Sequence, residues 1–208
     1  MSQILIQGLR RFRERHYAEN PDRWRQLGEG QSPRTLFIAC SDSRVVPELL
    51  TGAGPGDLFV VRNVANIVPP YDPDPANAGT AAAIEFAVSV LEVRDVVVCG
   101  HSGCGGMAAL RAPLPAGVPH LGPWLDIVRQ ALAGEDDRDA GEAEIVDLAG
   151  RRNVALSLKR LAGFPMVAER HAAGALTLNG WFFDIAQGSV EILDRASGEF
   201  IDLSMLPS

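Results

Sequence analysis

The chain alternates between short runs of consecutive apolar residues and longer segments in which apolar residues recur every three or four positions. The short runs predict strands buried on both faces of a sheet, and they span residues 35–39, 57–61 and 95–99. Residues 3–17 have the spacing of an amphipathic helix, and the Ala-rich segment 78–92 predicts a helix buried on most sides. Two further helices are predicted over residues 123–133 and 145–161.

Turn-forming residues separate these segments. Pro21 and the glycines of residues 28–30 are predicted to break the chain after the first helix, and the proline-rich segment 68–77 to form a loop. A helix is predicted to start near Met107, and the charged segment 134–144 reads as a solvated loop or a fraying helix end. Two last strands, 175–184 and 189–193, are predicted around the Gln187-Gly188 turn.

Buried strands that alternate with helices indicate an α/β fold, with a mostly parallel central sheet flanked by helices. The 208 residues suit one domain, predicted over 1–208, and 47% of them are hydrophobic. A formal net charge of −7 repels phosphate backbones and anionic membrane surfaces, so neither nucleic acid nor a membrane is expected as a partner. A small-molecule substrate is favoured instead.

The chain shows no apolar run of the roughly 18 residues that a membrane-spanning helix needs, and no secretory signal. Its three cysteines do not form a disulfide framework for a domain of this size. A reducing, cytoplasmic location is therefore expected, where clustered cysteines more often bind metal or perform chemistry.

Metal-ligating side chains follow two of the predicted strands. Cys40 comes directly after the first, and His101 and Cys104 come just past the third, among glycines that allow tight turns. Ligands bind outside the carboxyl ends of strands in open α/β sheets, so these three side chains would meet if the strands are neighbours. Thiolate and imidazole are the ligands that Zn²⁺ prefers, and three of them leave an open position for an acidified water. The pattern predicts a catalytic zinc site.

Asp42 and Arg44 lie just beyond Cys40, and three uses of Asp42 are open. It can be a fourth metal ligand, it can orient the zinc-bound hydroxide, or it can form a surface ion pair with Arg44. Cys99 is interpreted as a small apolar strand residue. Arg62 is interpreted as structural, holding loop carbonyls or a carboxylate.

Three segments together resemble the β-class carbonic anhydrases, in the plant-like branch: Ala39 to Arg44, Gly56 to Asn66 and Gly100 to Gly106. The resemblance runs through essentially the whole chain. It implies reversible hydration of carbon dioxide to bicarbonate and a proton, by attack of zinc-bound hydroxide. By motif position it makes Cys40, His101 and Cys104 the zinc ligands, with Asp42 and Arg44 as the catalytic pair. In this family the aspartate pairs with the arginine in the active state and binds zinc in an inactive one.

The resemblance also implies a substrate pocket and an oligomer. Gln31 is expected to hold the substrate by a hydrogen bond, Phe59 and Val64 to form an apolar wall, and Gly105 to belong to the same pocket. Gln31 and Phe59 are expected to act across a subunit interface, so the active form is a homodimer or a homotetramer. Residues 1–30 are expected to form a helical arm that packs on a partner subunit.

One position departs from many relatives, and a second lacks the mark of one branch. Many of them carry a tyrosine where this chain has Phe86, so a hydroxyl group is missing there. A bicarbonate-inhibited branch carries a tryptophan where this chain has Phe37, which disfavours that form of regulation. His16, His120 and His171 are interpreted as surface or hydrogen-bonded histidines, so buffer or a water chain is expected to take the proton away.

Three other interpretations remain. A related zinc hydrolase would act on carbon disulfide or carbonyl sulfide. A purely structural zinc would make the chain a non-catalytic interaction module. A redox role would use Cys99 and Cys104 and would predict a disulfide that competes with zinc.

Overall fold

A computed structural model describes residues 2–72, 78–129 and 141–205. Parts of three predicted segments, the loop 68–77, the helix 123–133 and the charged segment 134–144, lie outside the described residues. The chain divides into two compact units, Met1–Ser32 and Pro33–Ser208. Among the described residues, no helix is both long enough and apolar enough to cross a membrane.

The first unit contains two helices. Helix α1 spans Gln3–Arg11 and continues through wider helical turns over Phe12–Tyr17, as the amphipathic spacing predicts. The predicted break is present at Asn20, directly before Pro21, but the helix that begins there, α2 (Pro21–Glu29), was not predicted. Proline suits the first turn of a helix, and the side chain of Asn20 caps this one by accepting a hydrogen bond from the Arg23 amide at 3.2 Å.

A six-stranded sheet organises the second unit, in the order β2-β1-β3-β4-β5-β6. Its strands are β1 (Thr35–Cys40), β2 (Leu58–Asn63), β3 (Asp95–His101), β4 (Thr177–Asp184), β5 (Ser189–Leu193) and β6 (Phe200–Asp202). The first four strands in this order are parallel, and β5 and β6 add to them antiparallel. The mostly parallel α/β fold is therefore confirmed. Strand β6 escapes prediction because three residues are too few to show an alternation.

Helices connect the strands: α3 (Pro47–Thr51), α4 (Ala78–Glu85), α5 (Gly105–Ala109), α6 (Leu121–Arg129), α7 (Glu142–Leu161) and α8 (Pro165–Ala172). Helix α4 continues through wider turns over Phe86–Val90, and the predicted burial of this segment is only partly correct. Ala87 and Val88 are buried, whereas Phe86 and Val90 are 41% and 63% exposed. The sequence predicts a helix start near Met107, and helix α5 begins two residues earlier, at Gly105.

Both faces of the sheet are apolar, which explains the unbroken apolar runs. Side chains alternate along β1, so Leu36 and Ile38 pack on one face with side chains of α7 and α8. Phe37 and Ala39 point to the other face and pack with Val45 and β3. Strand β1 is thus buried along its length between two neighbouring strands.

The sheet register determines where the predicted ligands lie. Strand β1 pairs in parallel with β3, and Ala39 is opposite Cys99. The same strand pairs on its other side with β2, where Cys40 is opposite Asn63. The carboxyl ends of β1 and β3 are therefore neighbours, and the residues that follow them converge.

Candidate metal centre

Cys40, His101 and Cys104 form one buried cluster at the carboxyl end of the sheet. Their ligand atoms all lie within 4.8 Å of one another. The two sulfur atoms are 3.9 Å apart, and each of the three residues is at most 5% exposed. The sequence-based expectation that these residues meet is therefore correct.

The imidazole of His101 is oriented for a metal. Its Nδ1 is 3.0 Å from the carbonyl oxygen of Ser102. A carbonyl only accepts hydrogen bonds, so Nδ1 carries the hydrogen and Nε2 has a free lone pair. Nε2 is buried and has no hydrogen-bond partner among the described residues. An unsatisfied buried lone pair is costly, and a cation beside the two sulfurs would satisfy it. The donor set therefore fits a metal ion.

The two thiols are coupled in the metal-free protein. The hydrogen bond from Cys104 stabilises the Cys40 thiolate and lowers the pKa of Cys40 to about 4. The same hydrogen bond raises the pKa of Cys104, because loss of its proton would place a second negative charge beside the first; burial adds to this rise. The pair therefore holds one proton at neutral pH, which metal binding would displace.

The turn after β2 closes one side of the cluster. The amide of Ala65 approaches the Cys40 sulfur at 3.4 Å, and Ala65 has a φ of 67°. This left-handed conformation is uncommon for alanine. Helix α5 packs tightly against the turn, because a Cβ added to Gly106 would lie 2.7 Å from the Cβ of Ala65 and 3.2 Å from Val64. Glycine is needed at residue 106 for this close approach.

Asp42 pairs with Arg44 beside the cluster. The guanidinium donates to both carboxylate oxygens, from Nε to Oδ1 at 2.9 Å and from a terminal nitrogen to Oδ2 at 2.8 Å. These hydrogen bonds hold the pKa of Asp42 well below its usual range. Oδ2 also lies 3.9 Å from Nε2 of His101. Of the three uses that the sequence leaves open for Asp42, the structure contains the ion pair.

Arg62 holds the backbone on which Cys40 and Asp42 lie. Its Nε donates to the Cys40 carbonyl at 3.0 Å, and a terminal nitrogen donates to the Asp42 carbonyl at 2.6 Å. The structural interpretation of Arg62 is therefore correct, although the residue is exposed rather than buried. One guanidinium therefore holds the backbone of both Cys40, a predicted metal ligand, and Asp42.

Two further hydrogen bonds, both at Gly103, were not predicted from the sequence. Asp147 of α7 accepts a hydrogen bond from the Gly103 amide at 2.7 Å, and the Gly103 carbonyl accepts one from Arg44 at 3.1 Å. Gly103 has a φ of 59°, which favours glycine. Asp147 occupies a polar position of a helix pattern, so nothing in the sequence distinguishes it from a solvent-exposed charge.

The predicted pocket residues lie at different distances from the cluster. Val64 precedes Ala65, and Gly105 follows Cys104 directly as the first residue of α5. Phe59 is opposite Leu36 in the sheet. Leu36 lies four residues before Cys40 on β1, and this separation is roughly 13 Å along a strand. Within one chain, Phe59 contacts Phe86 instead, with ring centroids 5.8 Å apart. Gln31 lies in the first unit, after α2, and is exposed.

Cys99 and two of the histidines have structural surroundings. Cys99 is fully buried, and burial raises its pKa to about 12, so it stays a thiol. His171 is bound at both ring nitrogens, by the Leu176 carbonyl at 2.8 Å and by Arg195 at 3.1 Å. His16 is exposed in the first unit.

His120 is a surface residue, as the sequence predicts, and it also lines a cleft. It is exposed, and it lines a cleft of about 800 Å³ together with Val64 and Trp124. The sequence places His120 more than 50 positions from Val64, so their proximity was not predictable from spacing.

Comparison with known proteins identifies the family. A carbonic anhydrase family model matches residues 35–190. The carbonic anhydrase of Pseudomonas aeruginosa is 43% identical over 205 residues, which cover 98% of this chain and 92% of that protein. The carbonic anhydrase of a Synechocystis species is 40% identical, over 96% of this chain and 73% of that protein.

Solved structures agree with these sequences. The β-carbonic anhydrase CcaA has a TM-score of 0.89 and 39% identity, with coverage of 96% of this chain and 98% of that one. A tetrameric β-carbonic anhydrase of Sordaria macrospora has a TM-score of 0.81 and 37% identity, with coverage of 91% and 95%. The ligand cluster, the sheet and these similarities agree, and the chain belongs to the carbonic anhydrase family, in its β class.

Proposed function

We propose that this enzyme hydrates carbon dioxide reversibly to bicarbonate and a proton, with Zn²⁺ held by Cys40, His101 and Cys104. The observation that carries the proposal is the buried donor set of two sulfurs and one imidazole nitrogen, all within 4.8 Å. The unpartnered Nε2 of His101 supports a metal among these donors. When held by these three residues, Zn²⁺ would acidify a bound water and so supply hydroxide near neutral pH.

Asp42 would orient the attacking oxygen. Its Oδ2 lies 3.9 Å from Nε2 of His101, on the side of the cluster where substrate chemistry would occur. Arg44 keeps the carboxylate ionised and holds both of its oxygens. An ionised carboxylate accepts a hydrogen bond from a hydroxyl group, and this contact directs the lone pair of that oxygen towards carbon.

A small apolar pocket would hold carbon dioxide. Val64 is 39% exposed and adjoins the turn that contacts the Cys40 sulfur, and Gly105 follows the third ligand. Phe59 lies too far along β2 to reach the cluster of its own chain. Its proposed contribution, like the substrate hydrogen bond from Gln31, therefore comes from a second copy.

An oligomer and a cytoplasmic location complete the proposal. A homodimer is the smallest assembly in which Gln31 and Phe59 can serve a neighbouring site, and a homotetramer would contain two such dimers. Exposed apolar side chains of α1, Ile4, Leu5 and Leu9, support a helical arm that packs on a partner subunit. The odd number of cysteines, too few for a disulfide framework, supports a reducing compartment.

The first test is stopped-flow hydration of carbon dioxide by zinc-loaded protein, with the metal content measured on the same sample. We expect about one zinc per chain and turnover that rises with pH through the neutral range. Zinc-loaded protein that hydrates no carbon dioxide at any pH would contradict the proposed reaction. Parallel assays with carbon disulfide and carbonyl sulfide would then show whether a related hydrolase is present.

Asp42→Asn separates a catalytic from a structural metal. The substitution keeps the shape of the side chain and removes its charge, so the metal content should not change. Turnover should fall by about a hundredfold or more, because the attacking oxygen loses a charged acceptor and the amide cannot accept from both donors of Arg44. A variant with wild-type turnover would refute the role of Asp42.

A further inference from the structure

We propose that Trp124 and Asn153 are positioning residues for the metal centre. They hold the backbone of Ala65 so that its amide donates a hydrogen bond to the sulfur of Cys40. This inference rests on the proposed function, in which that sulfur binds the metal. A thiolate that accepts an amide hydrogen bond gives less electron density to a bound cation, so the contact would set both the direction and the donor strength of this ligand.

The turn Val64–Asn66, which follows β2, has an unusual backbone. Ala65 and Asn66 have φ values of 67° and 45°, in the left-handed region that residues other than glycine seldom adopt. Two such residues in succession persist where the surrounding structure holds them. This conformation brings the Ala65 amide to Cys40, with the nitrogen 3.4 Å from the sulfur.

One peptide group of this turn is bound at both ends. The carbonyl of Val64 and the amide of Ala65 belong to the same peptide group. The indole Nε1 of Trp124, on α6, donates to that carbonyl at 2.9 Å, while the amide donates to Cys40. A peptide group that accepts a hydrogen bond at its oxygen is polarised, and its N–H becomes a stronger donor. Trp124 therefore fixes this peptide group and strengthens its hydrogen bond to the sulfur.

The next peptide group is held by Asn153 of α7. Its Nδ2 donates to the Ala65 carbonyl at 2.8 Å, and both residues are fully buried. The Oδ1 of Asn153 has no hydrogen-bond partner among the described residues. A leucine of similar volume would avoid burying this oxygen, so the amide at residue 153 indicates a requirement for the Ala65 contact rather than for packing. The two side chains together hold the peptide groups on both sides of the Ala65 Cα atom.

Neighbouring side chains hold a later part of the same segment. Oδ1 of Asn63 accepts a hydrogen bond from the Ile67 amide at 2.8 Å, and Oγ of Ser157 accepts one from the Val68 amide at 3.4 Å. Ser157 is buried on the same helix as Asn153, about one turn later. It therefore provides a matched comparison, in which a buried hydrogen bond is lost without a change at Ala65.

The first test compares the cobalt-loaded variants Trp124→Phe and Trp24→Phe. Phenylalanine keeps an aromatic ring and removes the indole N–H, which in Trp24 donates to the His16 carbonyl at 3.1 Å within the first unit. A weaker hydrogen bond from Ala65 would leave the Cys40 sulfur richer in electrons, so the sulfur-to-cobalt charge-transfer band should move to longer wavelength in Trp124→Phe. The band should keep its wild-type position in Trp24→Phe. An unmoved band in Trp124→Phe, or an equal shift in Trp24→Phe, would overturn the proposal.

The second test measures zinc affinity by chelator competition in Asn153→Leu and Ser157→Ala. Both variants lose one buried hydrogen bond, so both should unfold at a lower temperature. Only Asn153→Leu should raise the zinc dissociation constant, by about tenfold, and it should show the same shift of the cobalt band. Equal zinc affinity in the two variants would mean that Asn153 acts on stability alone and would overturn its role. If Asn153→Leu does not fold, the cobalt spectrum of Trp124→Phe decides.

Failure of the proposed function would be visible separately, in the wild-type protein. Wild-type protein that binds neither zinc nor cobalt would overturn the proposed metal centre. Wild-type protein that binds zinc but does not hydrate carbon dioxide would overturn the proposed reaction and leave the roles of Trp124 and Asn153 to the two tests above.

Discussion

The carboxylate of Asp147 binds the amide of Gly103 at 2.7 Å, and this contact ties helix α7 to the loop that carries His101 and Cys104. The carbonyl of Gly103, in turn, accepts a hydrogen bond from Arg44. Asp147 therefore positions the guanidinium that orients Asp42, although it touches neither the metal ligands nor Asp42.

Replacement of Asp147 should lower turnover and leave the metal bound. Asp147→Ala removes one hydrogen bond, worth about 1 kcal/mol, and we expect kcat/KM to fall about fivefold because Arg44 loses its fixed neighbour. Asp147→Asn keeps an oxygen acceptor and should stay within about twofold of wild type. If Asp147→Ala loses metal in proportion to activity, the contact serves the ligand loop rather than Arg44.

Alanine should destabilise the protein at residue 106 and have little effect on stability at the adjacent residue 105. A Cβ at residue 106 would lie 2.7 Å from the Cβ of Ala65, whereas one at residue 105 would have no atom within 4 Å. We expect Gly106→Ala to lower the free energy of unfolding by about 1–3 kcal/mol and to weaken metal retention, because the turn beside Cys40 must move. Gly105→Ala should change stability by less than about 0.5 kcal/mol. Thermal unfolding and metal analysis of both variants would check this, and equal effects would contradict the packing argument.

The metal-free protein should contain one thiolate at neutral pH. The pKa of Cys40 is lowered to about 4 by the hydrogen bond from Cys104, so the thiolate form persists as pH falls from neutral and is lost only near pH 4. Ultraviolet thiolate absorbance of the metal-free protein measures this directly. The signal should disappear in Cys40→Ser and remain in Cys99→Ser, since burial keeps Cys99 protonated. A midpoint near the usual cysteine pKa would show that the two thiols are not coupled.

Removal of the Cys40 sulfur should release the metal, whereas removal of the Cys99 sulfur should not. Both side chains are buried, so Cys40→Ala and Cys99→Ala delete the same atom from comparable surroundings. Only Cys40→Ala should lose zinc, and only wild type and Cys99→Ala should unfold at a higher temperature when zinc is added. A Cys99→Ala variant that loses zinc would contradict the structural role of that cysteine.

Much of the fold follows from patterns that are local in the sequence. The apolar runs of β1, β2 and β3 are recognisable because these strands are covered on both faces, and a parallel sheet follows from the helices between them. Strand β6 and helix α3 are too short to show a period. Helix α2 was not predicted, because proline ends a helix in most positions but also suits its first turn.

The cluster of Cys40, His101 and Cys104 was predictable because Cys40 and His101 end two strands and Cys104 lies three residues past the second. The residues that hold the surrounding backbone were harder to predict. Asp147 and Trp124 lie on helices later in the chain, and each makes its contact through one side chain. The sequence pattern does not show which way such a side chain points. Ala65 adopts a left-handed conformation that its type does not favour, so the sequence contains no sign of the turn beside Cys40. The roles of Gln31, Phe59 and the subunit arm stay predictions.

The parallel pairing of β1 with β3 also fixes when the site can exist. Cys40 and Cys104 are 64 positions apart, and their sulfurs meet only after the two strands have joined, which requires closure of a long loop. A chain still being synthesised, with β1 and β2 formed but β3 not yet made, would contain only Cys40 of the three proposed ligands and would not retain the ion. On the proposed function, metal uptake would therefore follow the pairing of β1 with β3, and a bound ion would mark a chain in which these two strands are already joined.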